Sequence, residues 1–229
     1  MIKFGPYLTC FFMQKPTLFY IYDALCGWCF GFAPVMQKLY SEFHDQFQFE
    51  VVNGGMVTGE RVGPISNMAA YIKRSVPRVE EVSGVTFGEP YVNGILNSET
   101  YSSNSLPPAV ALKILQEQAS DQQIKLAHEI QQLHYVQGQD LNEAETYFPL
   151  CREIGLPEEV FRLKFQQKKY REQAHSDFDL AKNWVITGFP AVVVEHEEKL
   201  YLLTQGFQEF EPLAEMLRKI LSGEIKQDD

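Results

Sequence analysis

Apolar residues gather into strand-length runs near the two ends of this chain and fall at helical spacing between them. "TLFYIYD", Thr17 to Asp23, is a continuous apolar run rich in aromatic residues and predicts a buried strand. Val35, Leu39 and Phe43 then recur at helical spacing, and Met36 and Tyr40 broaden the same face. "FQFEVVNGGM" supplies a second strand, and Gly54 with Gly55 reads as the turn that ends it. Together these make a βαβ unit whose two strands should run parallel through a right-handed crossover.

From about Thr58 to Trp184 the pattern predicts helices and no strand. Pro107 and Pro108 suit a helix start, followed by i,i+4 pairs of Val110 with Ile114 and Ala111 with Leu115. Ser120 with Gln123 reads as a capping box ahead of Ile124, Ala127, Ile130, Leu133 and Val136, with Gly138 as the stop. Another helix begins at Asn142 and reaches Gly155, a third starts at Pro157, and Ser176 with Asp179 caps a fourth carrying Phe178, Ala181 and Val185 on one side. "TGFPAVVVE" and "KLYLLTQG" then give two strands joined by the acidic turn "EHEEK". Glu211 and Pro212 open a last amphipathic helix over Leu213, Met216, Leu217, Ile220 and Leu221, ending at Gly223. The order is β, α, β, a helical block, then α, β, β, α. It divides the chain into a discontinuous α/β domain over residues 14–60 and 177–229 and an inserted all-helical domain over 61–176.

Composition narrows the function. With 229 residues, 45% of them hydrophobic and 22% charged, the chain can bury a sizeable core. A formal charge of -10, from 20 basic against 30 acidic residues, argues against a nucleic-acid partner, which needs a basic surface, and disfavours an anionic membrane surface. The longest apolar runs, "LTCFFM" and "LFYIY", fall far short of the ~18 to 20 residues a transmembrane helix needs. Near the N-terminus there is one basic residue, Lys3, then an apolar stretch broken by Pro6, with no small-residue cleavage pattern. The chain therefore reads as cytoplasmic, and Met1 to Phe12 read as an extension upstream of a start at Met13.

Four cysteines, Cys10, Cys26, Cys29 and Cys151, are too few for a disulfide-stapled scaffold, but two of them stand as a CxxC pair in "DALCGWCFGFAP". The pair is open to three readings: a redox dithiol, half of a metal site, or two buried thiols. Tetrahedral zinc needs about four ligands, and neither Cys10 nor Cys151 offers a second close pair. His44, His128, His134, His175 and His196 are scattered, without an i,i+4 pair. Phe148 and Cys151 at i,i+3 suggest a core thiol.

The order strand, tight turn, CxxC, helix favours the redox reading. A thiol attacks only as its thiolate, and a free cysteine with a pKa near ~8.5 is mostly protonated at neutral pH. At a helix start the unpaired N–H groups and the helix dipole both favour the anion. The dipole supplies ~0.3 to 2 kcal/mol, whereas lowering a pKa by about two requires about 2.7 kcal/mol, so direct hydrogen bonds must provide the rest. Two intervening residues let both sulfurs meet on one turn, which makes Cys26 the nucleophile and Cys29 the buried resolving thiol. Trp28, between them, is expected to stand exposed and meet a substrate.

"CGWCFGFAPVMQKL" resembles the active-site helix of the thioredoxin superfamily, including Pro34 eight residues after Cys26. "TGFPAVVV" is similar to that family's turn with a cis-proline, which makes Pro190 the counterpart. A helical block between the two halves resembles the DsbA-like proteins, and "YIYDALCGWC" resembles their FrnE-like cytoplasmic branch. The resemblance covers Thr17 to Leu221 and implies a thioredoxin fold, a central mixed sheet flanked by helices, with a large all-helical insertion. It also implies a thiol-disulfide oxidoreductase or disulfide isomerase that needs no cofactor and no metal, with glutathione as a possible reductant. Its partners would be disulfide-containing proteins or small-molecule thiols. Gly27, Trp28, Phe189 and Pro190 would form the motif and the substrate contact, with Phe189 offering its backbone to an extended peptide.

One position departs from the family. The buried carboxylate expected six residues before the nucleophile is Tyr20 here, and Asp23 is the nearest acid. Asp23 is expected near the surface of the turn, as a turn or capping residue or as a proton relay. Two alternatives stand beside the oxidoreductase. One is a glutathione-dependent isomerase or transferase of the 2-hydroxychromene-2-carboxylate isomerase or kappa-class type, against which the second cysteine speaks. The other is a non-catalytic thioredoxin-fold adaptor.

Overall fold

Alternation of side chains along the strands gives the molecule two layers of helix on one sheet. The computed structural model describes residues 15–224, so Cys10 and the expected start at Met13 lie outside the described residues. In chain order the elements are β1 (Thr17–Tyr22), α1 (Gly27–Phe43), β2 (Gln48–Asn53), β3 (Gly63–Pro64), α2 (Ser66–Ser83), β4 (Ser102–Ser103), α3 (Leu106–Gln118) and α4 (Gln123–Tyr135). They continue with α5 (Phe148–Glu153), α6 (Glu158–Phe165), α7 (Lys168–Asn183), β5 (Ala191–His196), β6 (Lys199–Gln205) and α8 (Phe210–Ser222).

The main sheet has the order β2-β1-β5-β6. β1 and β2 are parallel, with Thr17 opposite Gln48 and Tyr22 opposite Asn53, as a βαβ unit requires. β5 runs antiparallel to β1 and to β6, and the hairpin between β5 and β6 turns through Glu197 and Glu198, both at positive φ (50° and 63°). That sign matches the twist of the flanking strands. Leu18, Tyr20, Tyr22, Val192 and Val194 point to one face, where Phe32, Met36 and Leu39 of α1 and Leu213 and Leu217 of α8 cover them. Ile21, Ala191 and Val193 point to the other, against Ala181 of α7.

The helical block shares the main core and adds a cluster drawn largely from its own residues. Val110, Leu112 and Ile114 of α3 and Ile130 of α4 lie in the same buried cluster as β1 and α1. A second cluster, with Phe30 of α1, Val76 and Val79 of α2, and Phe87, Tyr91 and Tyr135, fills the other side of the active-site helix. None of the described helices is long and apolar enough to cross a membrane.

Three local expectations are corrected. No capping box forms at Ser120: the Gln123 Nε2 donates to the Phe49 carbonyl at 2.7 Å and to the Ser120 carbonyl at 3.2 Å, while its Oε1 accepts the Val51 N–H at 2.8 Å instead of the Ser120 N–H. Gln116 Nε2 adds a bond to the Val51 carbonyl at 3.1 Å. Two glutamines thus pair the open edge of β2, groups that would otherwise be buried without partners. The helix expected to be capped at Ser176 begins at Lys168, and the Ser176 hydroxyl donates back to the Glu172 carbonyl at 3.0 Å. Val185 falls beyond that helix, at φ 58° and 74% exposed. Lastly, β3 and β4 form a two-residue antiparallel pair inside the stretch expected to hold no strand. The long helix α2 carries Pro77 in its interior, a residue that interrupts the helical signal because it removes one rung of the backbone ladder.

Candidate active site

Cys26 is the N-cap of α1, with extended backbone (φ -92°, ψ 109°), and its Sγ accepts the Cys29 N–H at 3.3 Å. Serine or aspartate usually fills this role with an oxygen; here a sulfur takes one of the helix's opening N–H groups. The Cys26 N–H donates to the Asp23 carbonyl at 3.1 Å and closes the turn after β1.

On its other side the Cys26 thiol faces the Phe189 carbonyl at 3.6 Å, and the Phe189–Pro190 peptide bond is cis. The two residues are 163 apart in sequence and meet because β5 pairs with β1, Ala191 opposite Ile21. Cys26 is 6% exposed and Cys29 is wholly buried. Burial, the hydrogen bond with Cys26 and the charge of Cys26 together push the Cys29 thiol well above the usual cysteine range. The outer sulfur is thus the accessible one and the inner is held protonated.

Asp23 is not near the surface. It is 2% exposed, because Met56 and Ser105 close over it. Its Oδ1 accepts the Leu25 N–H at 2.9 Å, an Asx turn, and the Ser105 hydroxyl at 3.0 Å, while Oδ2 accepts the Met56 N–H at 2.7 Å. Burial raises the carboxyl's pKa, and these hydrogen bonds oppose the rise. Tyr20, where the family resemblance places an acid, is buried and donates its hydroxyl to the Cys29 carbonyl at 3.3 Å.

Trp28 is half-buried rather than exposed; its ring packs against that of Phe207, centroids 6.0 Å apart. Gly27 lies under the Phe87 ring, which would contact a Cβ there at 3.5 Å. Phe87, Ser105 and Phe207 are site residues that sequence reasoning missed. They reach Gly27, Asp23 and Trp28 beside the dithiol from distant segments, and nothing in their neighbours marks them. Cys151 is buried in the main core, and burial pushes its thiol up to about 12. Among the described residues no group of three or more His, Cys, Asp or Glu side chains could hold a metal ion.

A family model described as thioredoxin matches residues 19–215. A candidate protein disulfide isomerase from Nitrosomonas europaea is 27% identical and superposes with a TM-score of 0.82, covering 92% of this chain and 99% of that one. The cytosolic disulfide reductase DsbM from Pseudomonas aeruginosa is 26% identical, with a TM-score of 0.75 over 90% of this chain and 98% of its own; its structure is also known with glutathione. The ClpXP adapter protein SpxH of Halalkalibacterium halodurans is 20% identical over 181 residues, which span 79% of this chain and 59% of that protein's length. The chain belongs to the thioredoxin family, with a helical block between the two halves of the sheet.

Proposed function

We propose that this protein is a cytoplasmic thiol-disulfide oxidoreductase acting on disulfides of proteins or small thiols, with Cys26 as nucleophile and Cys29 as resolving thiol. The observation that carries the reading is the position of one sulfur: Cys26 Sγ sits on the Cys29 N–H and opposite the carbonyl of Phe189, before the cis bond to Pro190.

The chemistry balances as two exchanges. Cys26 thiolate attacks one sulfur of a substrate disulfide, forming a mixed disulfide and releasing the other sulfur as a thiolate that takes up a proton. Cys29 gives up its proton, attacks Cys26 Sγ, and expels the second substrate thiolate, leaving a Cys26–Cys29 disulfide. Two electrons pass to the substrate, and two equivalents of a thiol such as glutathione return them, leaving as the oxidised disulfide. No cofactor or metal is required. Asp23, buried in the turn ahead of the pair, would take the proton of Cys29, with its three hydrogen bonds also giving it the turn role. Gly27, Trp28, Phe189 and Pro190 form the surface a peptide meets.

A cytosolic glutathione poise of roughly -220 to -320 mV keeps a more oxidising pair mainly as the dithiol, which favours reduction or isomerisation. The cytosolic reductase relative, and its structure with glutathione, support that direction. Residues 61–176 are read as an inserted helical domain that buttresses residues 14–60 and 177–229 through Gln116, Gln123 and Ser105. Insulin reduction tests the assignment: the wild type should turn over and Cys26→Ser should not, and equal turnover by both rejects it.

The similarity to a ClpXP adapter supports a second reading, a non-catalytic adaptor. A partner that co-purifies equally with wild type and Cys26→Ser, from a protein without reductase turnover, would favour it.

A further inference from the structure

The two glycines that end β2 each carry an aromatic ring. A Cβ on Gly54 would run into Cε1 and Cζ of Phe189 and lie 2.8 Å from its Cδ1. A Cβ on Gly55 would lie 2.8 Å from the ring of Phe178, on α7. Side-chain carbons do not approach so closely, so the Phe189 ring rests on the bare backbone of residue 54, and any side chain there must displace it.

The two glycines differ in what they require. Gly55 has φ +68°, a conformation that by itself favours glycine, whereas Gly54 lies outside that region, so its lack of a side chain answers to the ring alone. The seat is also fixed. Gly54 N–H donates to the Tyr22 carbonyl at 2.7 Å, tying it to the end of β1 just ahead of the turn to Cys26. On the far side of Phe189, the Pro190 carbonyl accepts the Gly206 N–H at 2.7 Å. Between these anchors, the Phe189 carbonyl is 3.6 Å from Cys26 Sγ.

We propose that Gly54 is a positioning residue for the dithiol: by seating the Phe189 ring it holds the Phe189 carbonyl against the Cys26 sulfur, whose thiol donates to it at 3.6 Å. The proposal rests on the oxidoreductase reading for its functional consequence. The mechanical coupling beneath it is measurable without any substrate.

The test is a double-variant cycle read by the pH profile of Cys26 alkylation and by disulfide-reduction kcat/KM. Gly54→Ala should move the midpoint of the alkylation profile and lower kcat/KM by about tenfold or more, since misplacing a reacting group by about 1 Å can cost up to ~10²-fold. In Phe189→Ala the ring is gone, so adding Gly54→Ala to it should change neither readout further. A wild-type profile and rate in Gly54→Ala overturns the proposal, as does a double variant in which the two losses add. Should Gly54→Ala alone fail to fold, the double variant must fold with the Tm of Phe189→Ala; its failure likewise overturns the proposal. A wild type without turnover rejects the oxidoreductase reading instead, while the alkylation profiles still decide the role of Gly54.

Discussion

The Ser105 hydroxyl donates to Asp23 Oδ1 at 3.0 Å and accepts the Val57 N–H at 2.9 Å, so one buried serine ahead of α3 joins the active-site turn to the segment after β2. Ser105→Ala leaves a buried N–H without its partner and removes one donor from a buried carboxylate. It should destabilise the protein by about 1–3 kcal/mol. Urea unfolding with an unchanged slope m would show this, and a midpoint equal to the wild type would refute it.

Cys26 and Cys29 should differ sharply in reactivity. One sulfur, on a residue 6% exposed, caps a helix start, and the other is wholly buried with its thiol held protonated. Brief iodoacetamide treatment of the reduced native protein should label Cys26 first, and Cys29 and Cys151 only on unfolding. Peptide mapping by mass spectrometry checks the order; early label on Cys29 contradicts the geometry.

His134 is buried among Tyr91, Tyr101 and Tyr135, with Nδ1 3.1 Å from the Gln139 carbonyl, and burial lowers its pKa to about 4. Its unfolded value is near ~6.5, so between these values the unfolded chain binds more protons than the folded one. The contribution is fully present above about pH 6.5 and is lost as pH falls toward about 4, by about 3 kcal/mol in all. His134→Asn, whose amide can donate to the same carbonyl, should flatten this part of the stability profile. Equal acid sensitivity of the two proteins between those pH values would exclude the assignment.

Gln123 pairs the outer edge of β2 with both ends of its amide. Gln123→Leu keeps the bulk and orphans the Phe49 carbonyl and Val51 N–H, each worth about 1–3 kcal/mol when buried without a partner. Hydrogen exchange at Val51 should accelerate by orders of magnitude while the amides of β5 stay protected. Unchanged exchange at Val51 would mean that the edge is satisfied otherwise.

The four strands of the main sheet, the dithiol helix and the proline turn were legible because their signals are local: an apolar run before Cys26, a CxxC at a helix start, a β-branched run after Pro190. Capping signals were less reliable. Gln123 and Ser176 have the residue types of helix starts, but tertiary demand drew Gln123 to the sheet edge and helix packing carried α7 back to Lys168. Asp23 looked like an exposed turn residue because its burial depends on Ser105, 82 positions away. Gly54 read as a turn glycine, and only the structure brings the Phe189 ring onto it.

The most direct measurement is covalent trapping with Cys29→Ala. Incubated with an oxidised protein substrate, this variant should accumulate a mixed disulfide that maps to Cys26 and dissolves with dithiothreitol, while Cys26→Ala gives none. Absence of an adduct at Cys26, or equal adducts in both variants, would contradict the claim that this sulfur opens the reaction.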